Sequence, residues 1–138
     1  MNIQSAIIEG TRILKDQFIK TADLDSEILM SKAINKDKKY ILLNLKEKIN
    51  DQDLAYYKSL IKKRSQRKPI AHLINKKNFW NSEFFVTHDT LIPRPDTELL
   101  VDNVLQITKF KDSQNILDIG VGSGCILLSI LKEKKNFY

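Results

Sequence analysis

Residues 115–131 read NILDIGVGSGCILLSIL, and this stretch decides the fold of the second half of the chain. Its first part, residues 115–119, has the apolar run of a buried strand, and residues 124–134 return to helical spacing. Between them Gly120, Gly122 and Gly124 alternate, so the backbone can turn sharply and approach a ligand without an intervening Cβ. The helix that follows begins with N–H groups that lack partners within the helix. We therefore predict a strand, a loop and a helix that form one wall of a nucleotide-type cofactor site.

The spacing of the glycines distinguishes between two classes of cofactor site. Dinucleotide sites have the pattern G-x-G-x-x-G. Here the third glycine comes one position early, at Gly124, and Cys125 stands where that pattern has Gly or Ala. The spacing G-x-G-x-G after Asp118 is typical of S-adenosylmethionine-dependent methyltransferases. The loop therefore favours S-adenosylmethionine, with a dinucleotide site and an ordinary strand-to-helix turn as the alternatives.

A second motif, IPRPDTELLV, occupies residues 92–101. Its two prolines enforce an extended path, and Asp96 or Thr97 can cap the helix that follows. Glu98 in the first turn of that helix suits the helix dipole. The motif thus predicts a stiff entry into a helix, with Arg94, Thr97 and Glu98 at its mouth.

Upstream of this motif the chain predicts a hairpin and a helical bundle. Aromatic and β-branched residues at 79–80 and 84–86 flank the turn-prone pair Asn81-Ser82, which indicates a β-hairpin. Apolar residues at helical spacing before Pro69 predict four or five helices that end near residue 68. The predicted N-caps within the bundle are Asp23, Asp37, and Asn50 or Asp51. The predicted class is α+β: a small helical bundle, a hairpin, and the first strand, loop and helix of a Rossmann-like α/β domain.

The net charge of +6 falls within residues 1–75, and its densest cluster is KKRSQRK at residues 62–68. Such a cluster fits either a nucleic-acid surface or a solvated helix end, where cations suit the dipole. No aromatic residue interleaves with the cluster as a stacking platform requires. The solvated helix end is therefore favoured, and no nucleic-acid partner is expected.

The cysteine, histidine and apolar content of the chain argues against a disulfide, a metal site and a membrane span. Cys125 is the single cysteine, so the chain forms no internal disulfide, and His72 and His88 lack the spacing of paired metal ligands. No apolar run approaches the ~20 residues that span a bilayer. The N-terminal residues also lack the features of a signal peptide. We expect a cytoplasmic protein without a membrane partner and predict no metal site or catalytic residue within the chain.

With both motifs present, the chain resembles the peptide chain release factor glutamine methyltransferases, often called the PrmC or HemK family. The stretch at residues 92–101 is similar to the family's Ile-Pro-Arg-Pro-(Asp/Glu)-Thr-Glu hallmark, and the loop at residues 118–124 to its cofactor motif. The resemblance covers the family's N-terminal portion only. It implies a helical substrate-docking domain (1–75), a hairpin and proline-rich connector (76–95), and the start of an incomplete methyltransferase domain (96–138).

The resemblance also implies a reaction and a set of site residues. A methyl group would pass from S-adenosylmethionine to the glutamine side-chain amide in the Gly-Gly-Gln motif of a release factor, the expected partner of a monomeric enzyme. The residues that would line the cofactor site are Asp118, Gly120, Val121, Gly122, Ser123, Gly124, Arg94, Thr97 and Glu98. The family's Asn-Pro-Pro-Tyr motif does not occur in the chain, so the chain alone is expected to be inactive.

The chain departs from the family at three positions. Asn75 and Asn81 stand where glycine is usual, and Asn tolerates a positive φ better than other non-glycine residues. Val121 stands where threonine is common. Two alternatives remain: a methyltransferase of the same superfamily that acts on nucleic-acid amino groups, and a non-catalytic product whose helical domain binds a protein partner.

Overall fold

Five helices form the first of two structural units, Met1–Ile74 and Asn75–Tyr138, in the computed structural model that describes residues 1–138. The helices are α1 (Ile3–Asp16), α2 (Ala22–Ile34), α3 (Lys38–Leu43), α4 (Asp51–Ser65) and α5 (Ile70–Ile74). The predicted bundle is confirmed, and it continues past Pro69, whose carbonyl accepts from the N–H of His72 in α5. None of the helices combines the length and apolar character that crossing a membrane requires.

Two of the three predicted helix caps are confirmed. The Asp37 side chain accepts from the backbone N–H of Tyr40 at 2.7 Å, and that of Asn50 accepts from the N–H of Asp53 at 2.8 Å. The prediction for Asp23 was wrong, because α2 already begins at Ala22. Asp23 therefore lies in the first turn, where its carboxylate pairs with Lys15 of α1 at 2.9 Å.

The core of the first unit is apolar with one partly buried ion pair. Its buried residues come mainly from α1, α2 and α4, and include Leu14, Leu29 and Ile61. Asp25, only 3% exposed, receives a hydrogen bond from Arg64 Nε at 2.7 Å. The pair joins α2 to α4 across 39 positions of sequence.

The second unit begins with the predicted hairpin. Strand β1 (Lys76–Phe79) pairs antiparallel with β2 (Ser82–Phe85), and Phe79 stands opposite Ser82. The turn is therefore Trp80-Asn81, one residue earlier than predicted. Asn75 has a φ of 61°, the positive value expected where Asn replaces glycine. At the hairpin turn the positive φ, 51°, belongs to Trp80 and not to Asn81. The expectation for Asn81 was thus wrong.

Two further helices pack together behind the hairpin. They are α6 (Glu98–Ile107), entered through a 3-10 turn at Pro95–Thr97, and α7 (Cys125–Glu133). Val101 of α6 and Ile130 of α7 are buried in one cluster with Phe79 and Phe84, whose rings meet edge to face at 6.2 Å. Both helices match their predicted positions, but the predicted cap by Asp96 or Thr97 was wrong, because Thr97 precedes α6 without a side-chain capping bond.

The predicted strand at residues 115–119 is not formed, because no strand lies beside its length. Leu117 and Ile119 are 83% and 87% exposed. The backbone does pair at one point: Ile116 donates to the Tyr138 carbonyl at 2.7 Å, and Tyr138 donates to the Gln114 carbonyl at 3.0 Å. Two bonds that bracket one residue in this way are the hydrogen-bond pattern of a parallel pair.

Candidate cofactor site

The glycine loop turns through three left-handed residues immediately before α7. The φ angles are 84° at Gly120, 54° at Gly122 and 75° at Gly124. A side chain in this region of φ is strained, so the backbone path of the loop requires glycine at every second position. The amide of Gly124 closes the last turn by donating to the Val121 carbonyl at 2.7 Å.

Two of these glycines face open space. A Cβ at Gly120 would have no neighbour within 4 Å, and one at Gly122 would meet only the Gly120 carbonyl oxygen, at 3.8 Å. Gly124 is different, because its Cβ would meet Leu128 Cδ1 at 3.2 Å. Packing therefore explains glycine at Gly124 alone. At the other two positions the loop forms an open concave backbone that a ligand can approach closely.

The N-terminus of α7 adds hydrogen-bond donors beside this loop. No side chain caps it, and the first bond into the helix runs from the N–H of Leu128 to the Gly124 carbonyl at 2.9 Å. The preceding N–H groups of the first turn are left for an external acceptor. Free N–H groups and the helix dipole together favour an anionic group at this position.

The remaining predicted loop residues lie around this donor set. Asp118 is half-buried two positions before Gly120, and its carboxylate has no hydrogen-bond or ion-pair partner within the protein. Ser123 is half-buried and Val121 is exposed. The site thus offers one unpaired carboxylate and a set of N–H donors within a single loop.

The three predicted residues of the proline motif lie at the entry to α6. Arg94 is exposed and precedes the 3-10 turn, where its carbonyl accepts from the Thr97 N–H at 3.1 Å. Glu98 Oε1 accepts from the backbone N–H of Trp80 at 2.8 Å. No hydrogen bond joins Arg94, Thr97 or Glu98 to the glycine loop. Their contact with a cofactor stays a prediction.

Trp80 gives Glu98 a structural role that the sequence did not indicate. Its indole N–H donates to Glu133 Oε1, in the last turn of α7, at 3.0 Å. The glycine loop precedes the first turn of this nine-residue helix, about 13 Å away along its axis. Glu98 therefore fixes the hairpin turn, together with Glu133. No local signal could reveal this contact, since 18 positions separate Trp80 from Glu98.

A protein-family model matches the first unit. The model is described as the PrmC N-terminal domain, and it matches residues 5–74. These residues fall within the five-helix unit, Met1–Ile74.

Curated relatives are similar over nearly the whole chain. The release factor glutamine methyltransferase of Leptospira interrogans is 37% identical over 99% of this chain and 48% of the relative. That of Clostridium acetobutylicum is 35% identical over 99% of this chain and 48% of the relative. A bifunctional methyltransferase of Rickettsia bellii is 33% identical over 98% of this chain and 29% of the relative. The chain thus spans about half the length of the release factor methyltransferases it matches.

Proposed function

Since the chain belongs to the family of the PrmC N-terminal domain, we propose that it forms the docking domain and cofactor loop of a protein-glutamine methyltransferase. The enzyme uses S-adenosylmethionine and methylates the glutamine side-chain amide in the Gly-Gly-Gln motif of peptide chain release factors. One observation carries the proposal: Gly120, Gly122 and Gly124 all have positive φ directly before the uncapped N-terminus of α7. The names of the relatives support the methyl transfer and the protein substrate.

The residues of the loop fit the charged part of the cofactor. The amino-acid portion of S-adenosylmethionine carries a carboxylate and an ammonium group. The free N–H groups of the first turn of α7 suit the carboxylate, and the unpaired carboxylate of Asp118 suits the ammonium. The open backbone at Gly120 and Gly122 leaves room for both.

A Rossmann-like arrangement around the loop is part of the proposal. Its support is the backbone pairing of Tyr138 with Gln114 and Ile116. This pairing has the parallel pattern, and it joins the segment before α7 in sequence to the segment after it. Strand, loop, helix and parallel strand is the unit from which such sheets are built. We assign residues 96–138 to this domain, residues 76–95 to a connector and residues 1–75 to substrate docking.

The chain contributes to the chemistry by positioning. Bound S-adenosylmethionine supplies an electrophilic methyl group on its sulfonium. The amide nitrogen of glutamine is a weak nucleophile, because its lone pair is delocalised, so accurate alignment has to lower much of the barrier. The glycine loop and the α7 N-terminus would hold the cofactor in place, and no residue of the chain is assigned a proton-transfer role. The proposed enzyme is a cytoplasmic monomer.

Methyl transfer to a release factor tests the proposal. The protein, expressed from its full reading frame, is incubated with tritiated S-adenosylmethionine and a purified bacterial release factor. We expect label in the release factor and none in a release factor whose Gly-Gly-Gln glutamine is replaced by alanine. Label in transfer or ribosomal RNA, with none in the release factor, would contradict the proposal and favour nucleic-acid methylation.

A further inference from the structure

An apolar groove lies between α1 and α4 in the first unit. It has a volume of about 280 Å³. Most of its lining is apolar: Ala6, Gly10, Ile13, Leu54, Tyr57 and Ile61. Met1 and Ser65 also line the groove, and Glu9, Lys58 and Lys62 add charged side chains. The groove is open to solvent on the side where these charges lie, since both lysines are exposed.

The polar groups in the groove floor are already satisfied. Ser26 Oγ donates to the Ile7 carbonyl at 2.9 Å, so the Tyr57 hydroxyl, 2.6 Å from Ser26 Oγ, donates to it in turn. Tyr57 is 1% exposed and packs directly against Gly10. Pockets for small polar ligands present converging polar groups that fix orientation. Since the floor of this groove presents none, the occupant that it fits there is an apolar side chain.

The charges beside the groove favour an acidic occupant. Lys58 is paired with Glu9 at 3.6 Å, and Arg64 with Asp25 at 2.7 Å. Lys62 has no ion-pair partner, and the same holds for its neighbours Lys63 and Lys68. The last turn of α4 and the residues after it therefore carry uncompensated positive charge at one end of the groove.

Two left-handed residues that end helices lie at that same end. Phe18, after α1, has a φ of 55° and is 86% exposed, and Arg67, after α4, has a φ of 66°. Arg67 Nη2 donates to the Gln17 carbonyl at 3.2 Å, which brings the two turns together. Each residue ends its helix in a Schellman motif, in which the following N–H, of Ile19 or Lys68, returns to the carbonyl of Leu14 or Lys63. Aromatic and arginine side chains are also the types that dominate binding energy at protein interfaces.

We propose that the groove between α1 and α4 receives an apolar side chain from an acidic segment of a protein partner. Carboxylates of that segment pair with Lys62, Lys63 and Arg67, and Phe18 packs against its apolar side. The identification of this partner as the release factor rests on the proposed function. The apolar and acidic character of the partner is inferred from the groove alone. Single-stranded nucleic acid is disfavoured as the partner, because its bases stack on successive aromatic side chains. Phe18 is the one aromatic residue in residues 15–21 and 62–69.

Amide chemical shifts of the isotope-labelled chain test the groove. The probe is a short synthetic peptide of glutamate and alanine with one central leucine, and its matched control carries serine at that position. We expect the leucine peptide to shift the amides of Gly10, Ile13 and Lys62, and the serine peptide to bind about tenfold more weakly. Lys62→Glu weakens the leucine peptide about tenfold, and Lys39→Glu, the same charge change on exposed α3, leaves it within about twofold.

Three outcomes decide the inference. If neither the peptide nor a purified release factor shifts the groove amides, it is overturned. If a short single-stranded RNA displaces the peptide and itself loses affinity with Lys62→Glu, the surface belongs to nucleic acid and the inference is also overturned. If the leucine peptide shifts the groove amides and the release factor does not, the groove is upheld and the release factor is excluded as its partner.

Discussion

The Tyr57 hydroxyl donates to Ser26 Oγ over 2.6 Å and thereby joins α4 to α2 inside the first unit. Because Ser26 Oγ in turn donates to the Ile7 carbonyl, a chain of two hydrogen bonds connects three helices. Burial raises the pKa of Tyr57 to about 12, while the bond to Ser26 lowers it and the nearby charge of Glu9 raises it. The neutral phenol is thus the form that the fold requires.

Tyr57→Phe is expected to change how stability depends on pH. Tyrosine ionises near pH 10 when unfolded, so its raised folded pKa gives a stabilisation that is complete below pH 10 and is lost between pH 10 and about pH 12. Over this pH range the free energy of unfolding falls by roughly 2 kcal/mol from this cause. The phenylalanine variant has no phenol to ionise and does not show this fall. Urea unfolding of both proteins from about pH 8 to about pH 12 measures the difference. Parallel pH profiles would contradict the prediction.

Gly10→Ala is expected to destabilise the first unit although alanine favours helices. A Cβ at Gly10 would overlap the Tyr57 hydroxyl and lie 2.9 Å from Ser26 Oγ. Both neighbours are buried and hydrogen-bonded, so we expect a loss of about 2 kcal/mol in the free energy of unfolding. The control is the same change in Tyr57→Phe, where removal of the hydroxyl relieves the overlap. Equal losses in the two backgrounds would show that the overlap is unimportant.

Arg64→Gln is expected to cost far more than Lys15→Gln. Arg64 is the partner of Asp25 in a pair whose side chains are 17% and 4% exposed, so its loss leaves a buried carboxylate without its cation, and only the Thr21 hydroxyl still donates to it. We expect about 3 kcal/mol. Lys15 pairs with Asp23 in solvent, at 58% and 70% exposure, where a pair contributes less than about 1 kcal/mol. Thermal unfolding of both variants at one pH gives the comparison.

Glu98→Ala is expected to loosen the hairpin turn. The carboxylate accepts from the backbone N–H of Trp80, and its loss leaves that donor without its acceptor, at about 1 kcal/mol. Glu98→Gln keeps an acceptor oxygen and should be closer to the original protein. Fluorescence of Trp80, the single tryptophan, follows the turn directly. If both variants unfold like the parent but bind S-adenosylmethionine less tightly, Glu98 acts on the cofactor instead.

Gly122→Ala is expected to affect cofactor binding more than stability. Its Cβ would find open space, but the φ of 54° strains alanine by about 1 kcal/mol and the methyl group projects into the loop. We expect S-adenosylmethionine affinity, measured by calorimetry, to fall about tenfold. Asn103→Ala alters an exposed side chain of α6 that has no part in the loop and serves as the control. Equal affinities for both variants would show that the loop is not part of the cofactor site.

Local chemistry made much of the fold predictable. Asp37 and Asn50 cap their helices through bonds to residues three positions away, and such signals are present in any short window of sequence. The loop glycines were likewise identified by spacing alone, and the structure gives all three a positive φ.

Features that depend on distant partners were not predictable in the same way. The run at residues 115–119 has the composition of a strand, but a strand requires a neighbour, which no local pattern reveals. Asp25 and Arg64 are 39 positions apart, and nothing near either residue indicates the pair. Gly10 offered a weak signal, because an isolated glycine inside a helical pattern often marks close packing.

The extended segment at residues 115–119 has a consequence for residues 1–138 at high concentration. Leu117 and Ile119 project into solvent from a backbone whose N–H and C=O groups are paired only at its start, through Tyr138. An edge of this kind is a template for adding a strand from another molecule. Self-association of residues 1–138 taken by themselves should therefore begin there, and Leu117→Lys should raise their solubility limit without disturbing the buried core.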